Sequence, residues 1–135
     1  MATQSTALRN AHANAFTTLV DAGVAAGTLK VYSGTAPAGP NTTATGTLLV
    51  SFTLVDPSAA AAVVGVATID ADPDLTATAA ATGTAGYGRF ADSAGLGVLD
   101  VSVGTSGAEL ILSSLSLVSG GTVTVTTGTV TSPAS

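Results

Sequence analysis

The chain has no cysteine and no tryptophan among its 135 residues. Without thiols there is no disulfide framework, no zinc–thiolate site and no thiol nucleophile, and the redox compartment is unreadable. Cations are almost as scarce: Arg9, Lys30 and Arg89 are the only ones, and the net charge is −5. A phosphate backbone needs clustered Lys and Arg, and these three are scattered, so no nucleic-acid binding is expected. Only 8% of residues are charged, against about a quarter in an average protein. Such a surface is either partly covered in an assembly or kept wet by Thr and Ser hydroxyls. The N-terminus lacks a basic region followed by an apolar core, so no signal peptide is expected. The most apolar run, residues 59–69, is about half the length of a membrane helix. A soluble protein made in the cytoplasm, with no membrane contact, is the expectation.

Chemistry is equally sparse. The one histidine, His12, falls in a helical pattern, and no Gly-x-Ser-x-Gly elbow accompanies it, so a hydrolytic triad has no base. Asp and Glu are present, but nothing marks a pair across a cleft as a glycosidase requires. Walker-type phosphate cradles are absent, and the chain lacks the aromatic platforms of sugar clefts. No catalytic residue and no cofactor is expected. The single cluster with metal-ligand spacing is Asp70, Asp72 and Asp74. A helix–loop–helix calcium loop would also need Gly at its sixth position and Glu at its twelfth, where this chain has Leu75 and Ala81. An acidic turn is the plainer reading, with weak surface calcium as the other.

What is present is mostly strand. Residues 5–22 read as the single helix, capped by Ser5 or Thr6 and closed by Gly23. Leu8, Ala11, Ala15, Phe16 and Leu19 form its apolar stripe. This helix either seals one end of a sheet or lies as an arm on a neighbouring subunit. Residues 28–33 form a strand with Leu29 and Val31 inward. Residues 35–46, with two prolines and two glycines, read as a long exposed loop: a crossover, or a reach toward a partner. Residues 47–55 alternate, with Leu48, Val50, Phe52 and Leu54 on one face, and Asp56–Pro57 ends that strand. Strands are also expected within residues 63–70, 75–81 and 108–114.

Two hairpins can be placed by register. Asp92-Ser93-Ala94-Gly95 suits a type I turn. Pairing Asp92 with Gly97, Phe90 with Leu99 and Gly88 with Val101 puts Phe90, Leu99, Val101 and Val103 on the core face. Tyr87, Arg89, Asp100 and Ser102 then share the other face, with Arg89 opposite Asp100. A one-residue slip would mix the faces. An exposed Arg89–Asp100 pair contributes roughly 0.2–1 kcal/mol; the alternative sets Arg89 against an acidic patch of another subunit. In the last hairpin, matched apolar faces favour a three-residue loop over residues 119–121, with Leu117 facing Val123 and Leu115 facing Val125. Gly128 suggests a bulge. The sum is a mainly β chain: a single β-sandwich or jelly-roll-like domain of about nine or ten short antiparallel strands. Residues 1–27 form an N-terminal arm and helix, and residues 28–135 the β-sandwich.

The strings ALRNAHANA, GTLKVYSGTAP, ATGTLLVSFTLVDP, ATGTAGYGRFADSAG, VGTSGAELILSS and SLVSGGTVTV occur in this order over nearly the whole chain. The ordered set resembles a family of small virion structural proteins of tailed bacteriophages and prophages. That resemblance implies a capsid decoration or minor capsid protein on the outside of a phage head, partnered by the major capsid protein or other virion proteins. A homo-oligomer, trimer or dimer, would suit the low charge and the open sheet edges. Rival roles are a head-fibre, neck or tail component, or a receptor- or carbohydrate-binding β-sandwich module. Candidate subunit contacts are Leu8, Phe16, Pro37, Pro40, Tyr87 and Arg89.

Overall fold

In the computed structural model, residues 5–22, 26–54, 61–69 and 75–131 are described. One helix, α1 (Thr6–Val20), precedes nine strands: β1 (Thr28–Ser33), β2 (Leu48–Thr53), β3 (Val66–Thr68), β4 (Leu75–Thr78), β5 (Gly83–Ala91), β6 (Gly97–Gly104), β7 (Leu110–Leu112), β8 (Ser116–Leu117) and β9 (Thr122–Thr131). They join in one sheet of order β2-β1-β5-β6-β7-β9-β3, with β4 on β9 and β8 on β5. The sheet curls: Ala80, just after β4, donates its N–H to the Leu49 carbonyl of β2 at 2.7 Å. That bond brings the segment after β4 edge to edge with β2. The mainly β domain with one N-terminal helix is as expected. One pairing departs from the antiparallel rule, since β6 and β7 run parallel.

The core follows from alternation. Leu29 and Val31 of β1 and Val50 and Phe52 of β2 are buried. Leu49 is buried as well, because the register shifts between Val31 and Tyr32 and inserts one β2 residue there. That shift turns Leu48, expected inward, to 36% exposure. The β5–β6 register is the expected one from Tyr87–Ser102 to Phe90–Leu99. It slips only at the turn, where Ala91 rather than Asp92 meets Gly97. Gly95 donates to the Asp92 carbonyl at 3.0 Å, closing the expected four-residue turn. Phe90 and Val101 lie in the core, with Leu99 and Val103 packed against it.

Three expectations fail. First, of its apparent stripe α1 buries only Phe16. Ser5 caps the helix as expected, its Oγ accepting from Leu8 N at 3.1 Å, but the packed residues are Ala13, Phe16 and Val20. Phe16 meets Phe90 edge to face with ring centres 5.0 Å apart. At about 100° per residue, Leu8, Ala11, Ala15 and Leu19 lie on a different side, and all four are exposed. Second, no hairpin joins β8 to β9. Leu117 pairs with Gly83 of β5, while Val123 and Val125 pair with Ala77 and Leu75 of β4. Third, residues 63–66 make a tight hairpin instead of the start of a strand. Val63 and Val66 exchange both backbone bonds, with Val64 and Gly65 at φ 49° and 78°. A β-branched residue there is strained. The turn is held by the helix: Gly65 N donates to Asn10 Oδ1 at 2.6 Å and Ala62 N to Asn14 Oδ1 at 2.8 Å. Gly23, Asp56 and Pro57 lie outside the described residues.

Candidate functional site

The most elaborate polar structure in the chain sits where the sheet face of β1, β5 and β6 was expected to be open. Cross-strand pairing sets Ser51, Lys30, Arg89 and Asp100 in one row on four adjacent strands. The next row along β1, β5 and β6 holds Tyr32, Tyr87 and Ser102. Cross-strand partners point to the same side, so both cations, both tyrosines and the aspartate share one face.

Residues 34–46 fold back over that face. Arg89 holds Asp100 with both arms of its guanidinium, Nε to Oδ1 at 2.7 Å and Nη2 to Oδ2 at 3.0 Å. It also donates Nη1–H to the Thr42 carbonyl at 2.7 Å and Nη2–H to the Gly39 carbonyl at 3.2 Å. Tyr87 acts one row away: its hydroxyl donates to the Thr45 carbonyl at 2.8 Å and accepts from Thr45 N at 2.9 Å. Its ring stacks on Tyr32 at 5.3 Å. Glycine makes the close approach possible, for a Cβ on Gly86 would collide with the Gly34 carbonyl and one on Gly97 with that of Pro40. The loop is exposed on its outer side but sewn to the sheet on its inner one.

This corrects the reading of Arg89 and Asp100 as an outward surface pair. Both side chains are 10% exposed. The hydrogen bonds that Arg89 donates to Asp100, opposed by burial, raise the Arg89 pKa further above its ordinary range. Burial, then the neighbouring Tyr87, raises that of the Tyr32 phenol. Both groups therefore keep their protons at neutral pH.

Beside the clamp lies a cleft of about 440 Å³, bounded by β1, by residues 40–44 and by the β5–β6 turn. Lys30, Tyr32, Asn41, Thr43 and Leu96 reach into it, and Arg89 forms part of its wall.

Of the six candidate subunit contacts, three are used inside the chain. Phe16 is 6% exposed, Tyr87 2% and Arg89 8%, so none of them is offered to a neighbour. Pro37 and Pro40 lie half-buried in the clamped loop. Leu8 is 45% exposed and, with Leu19 at 56%, forms an apolar ridge on α1. His12 is exposed on the same helix. The calcium candidates Asp70, Asp72 and Asp74 lie outside the described residues. Among the described residues no three His, Asp or Glu side chains gather as a metal site, and no helix is long and apolar enough to cross a membrane.

The clamp escaped the sequence reading because nothing local says that a Pro/Gly-rich loop folds back on its own sheet. Its one visible trace was the conjunction of Tyr87, Arg89 and Asp100 on a face thought to be open, flanked by glycines at positions 86 and 97. Compared with protein-family models, curated proteins and solved structures, the chain matches none.

Proposed function

We propose that this chain is a non-enzymatic structural protein of a tailed-phage virion, a decoration or minor capsid protein bound to the outside of the head. The observation that carries the reading is the outward apolar ridge of α1. Leu8 and Leu19 stand exposed on a rigid scaffold whose charged residues amount to 8% of the chain. A surface so poor in charge suits permanent contact with other subunits better than free diffusion. The clamped loop adds a firmly held outer surface, which suits a cement protein. The ordered sequence strings that resemble virion proteins point the same way. In this role the partner is the major capsid protein, and the chain works as a dimer or trimer.

Imaging of particles that carry the protein, beside particles lacking its gene, tests the proposal. Density over the capsid shell that disappears with the gene is the expected result. Density confined to the neck, tail or fibres would refute the decoration role. A monomer by sedimentation at high concentration would refute the oligomer.

A further inference from the structure

The Ser51–Lys30–Arg89–Asp100 row contains two cations and one carboxylate. Like charges directly opposite each other across strands are destabilising, and this chain, with three cations in all, places two of them side by side. Asp100 does not serve both. Each of its oxygens is taken by Arg89, and Lys30 has no hydrogen-bond or ion-pair partner among the described residues. Four of the five guanidinium N–H donors of Arg89 are engaged, leaving one. One unit of positive charge is thus uncompensated at the wall of a cleft.

Beside Lys30, the polar residues Tyr32, Asn41 and Thr43 and the apolar Pro40 and Leu96 line the cleft. The Tyr32 hydroxyl follows Lys30 by two residues, on the same face of β1, and bonds to nothing among the described residues. Its raised pKa keeps it a donor. Asn41 and Thr43 belong to the clamped loop and carry an amide and a hydroxyl at the cleft's rim. A cleft of about 440 Å³ is within the range that holds small ligands and anchoring side chains, roughly 300–1,000 Å³.

We infer that this cleft binds a carboxylate: Lys30 supplies the charge, and Tyr32, with the loop residues Asn41 and Thr43, supplies neutral hydrogen bonds. A monoanion balances the single excess charge. The occupant is an aspartate or glutamate side chain presented by a protein partner. An acidic sugar carries the same group, but sugar recognition leans on several aromatic platforms, and Tyr32 is the one aromatic residue lining this cleft, stacked on one side by Tyr87. This assignment stands on the charge row alone and does not depend on the virion role.

Amide NMR titration of the intact chain decides it, with three probes: N-acetyl-glutamate N-methylamide, its glutamine counterpart and sodium glucuronate. The expected result is saturable shifts at Lys30, Tyr32 and Asn41 with the blocked glutamate, half-complete in the millimolar range or above, where an ion pair helped by a few neutral hydrogen bonds falls. The glutamine analogue should give none, and glucuronate should bind more weakly. Lys30→Met should weaken binding tenfold or more, while Lys30→Arg retains it and the Arg89 Nε signal stays in place. If Lys30→Met does not fold, Tyr32→Phe replaces it, with a loss of severalfold expected. Shifts that sodium chloride alone reproduces at matched ionic strength, that are equal for glutamine, or that survive Lys30→Met would overturn the site. Tighter binding of glucuronate would overturn the protein partner.

Discussion

Replacing Arg89 by methionine keeps most of the side chain's length and apolar volume and removes four donated bonds at once. Two run to Asp100, at 2.7 and 3.0 Å, and two to loop carbonyls, Thr42 O at 2.7 Å and Gly39 O at 3.2 Å. What remains is a carboxylate that is only 10% exposed and has lost its counter-ion. Removing one partner of a buried pair costs about 3–5 kcal/mol. The two carbonyls belong to the half-open loop, where water replaces much of what they lose, so they add little. A loss of about 4 kcal/mol would take a third or more of a typical domain's stability. The double variant Arg89→Met, Asp100→Leu removes both charges and should recover most of it, because a buried pair and an apolar pair are close to isoenergetic. A residual deficit below about 1 kcal/mol should persist, reporting carbonyls that water now serves. Urea unfolding followed by far-ultraviolet circular dichroism measures all three proteins, and amide exchange at residues 40–45 reports whether the loop has lifted. A loss below about 1 kcal/mol for Arg89→Met would place the pair in the exposed class and refute the clamp.

Further outcomes follow from the same structure. Val64 occupies the first central position of a two-residue turn at φ 49°, so Val64→Asn, which creates the favoured Asn-Gly pair, should raise stability by about 1 kcal/mol in a thermal melt; a loss would mean that Val64 is held by packing. Leu8→Glu and Leu19→Glu should each change stability by less than about 0.5 kcal/mol, whereas Phe16→Ala should cost about 3–5 kcal/mol. Equal losses for all three would restore the stripe read from the sequence as the packed face. Tyr32 keeps its proton more tightly folded than unfolded, its pKa lying above the ordinary 10.0. Its contribution is therefore complete below about pH 10 and disappears as pH rises beyond it. Tyr32→Phe should flatten the stability profile in that alkaline range, and parallel profiles would mean that the hydroxyl is not desolvated.

How far the sequence could be read depended on the range of the interaction. The β5–β6 hairpin was legible because both strands alternate and are joined by a short turn, so only one register keeps Phe90 opposite Leu99. Helix α1 was legible as a helix but not as to its face. Leucines outrank alanines in any apolar count, yet a flat sheet end admits Ala13 beside Phe16 and Val20, and leaves Leu8 and Leu19 outside. The β8 strand misled for a related cause. Its residues match β9 well as neighbours in sequence, but Gly83 of β5, more than thirty positions away, takes Leu117 instead. The candidate site was half-visible: Arg89 opposite Asp100 was foreseen, while the cover provided by residues 34–46, and hence the cleft at Lys30, rests on contacts no local pattern encodes.

The long strand β9 joins β4 along residues 122–125, β7 along 125–128 and β3 along 129–131. It comes after all three in the chain, so during synthesis each of them waits with an unpaired edge. Until β9 arrives, β7 is held on one side by β6 and the segment after β4 by β2, while β3 has no strand partner among the described residues. Folding of the part of the sheet that β9 organises is consequently a late event dominated by distant pairings, which are slow to form. The same unsatisfied edges would invite intermolecular pairing if the wait were prolonged. The scarcity of charge that suits the finished surface offers little protection in that interval, and speed of synthesis through β9 becomes a determinant of yield in its own right.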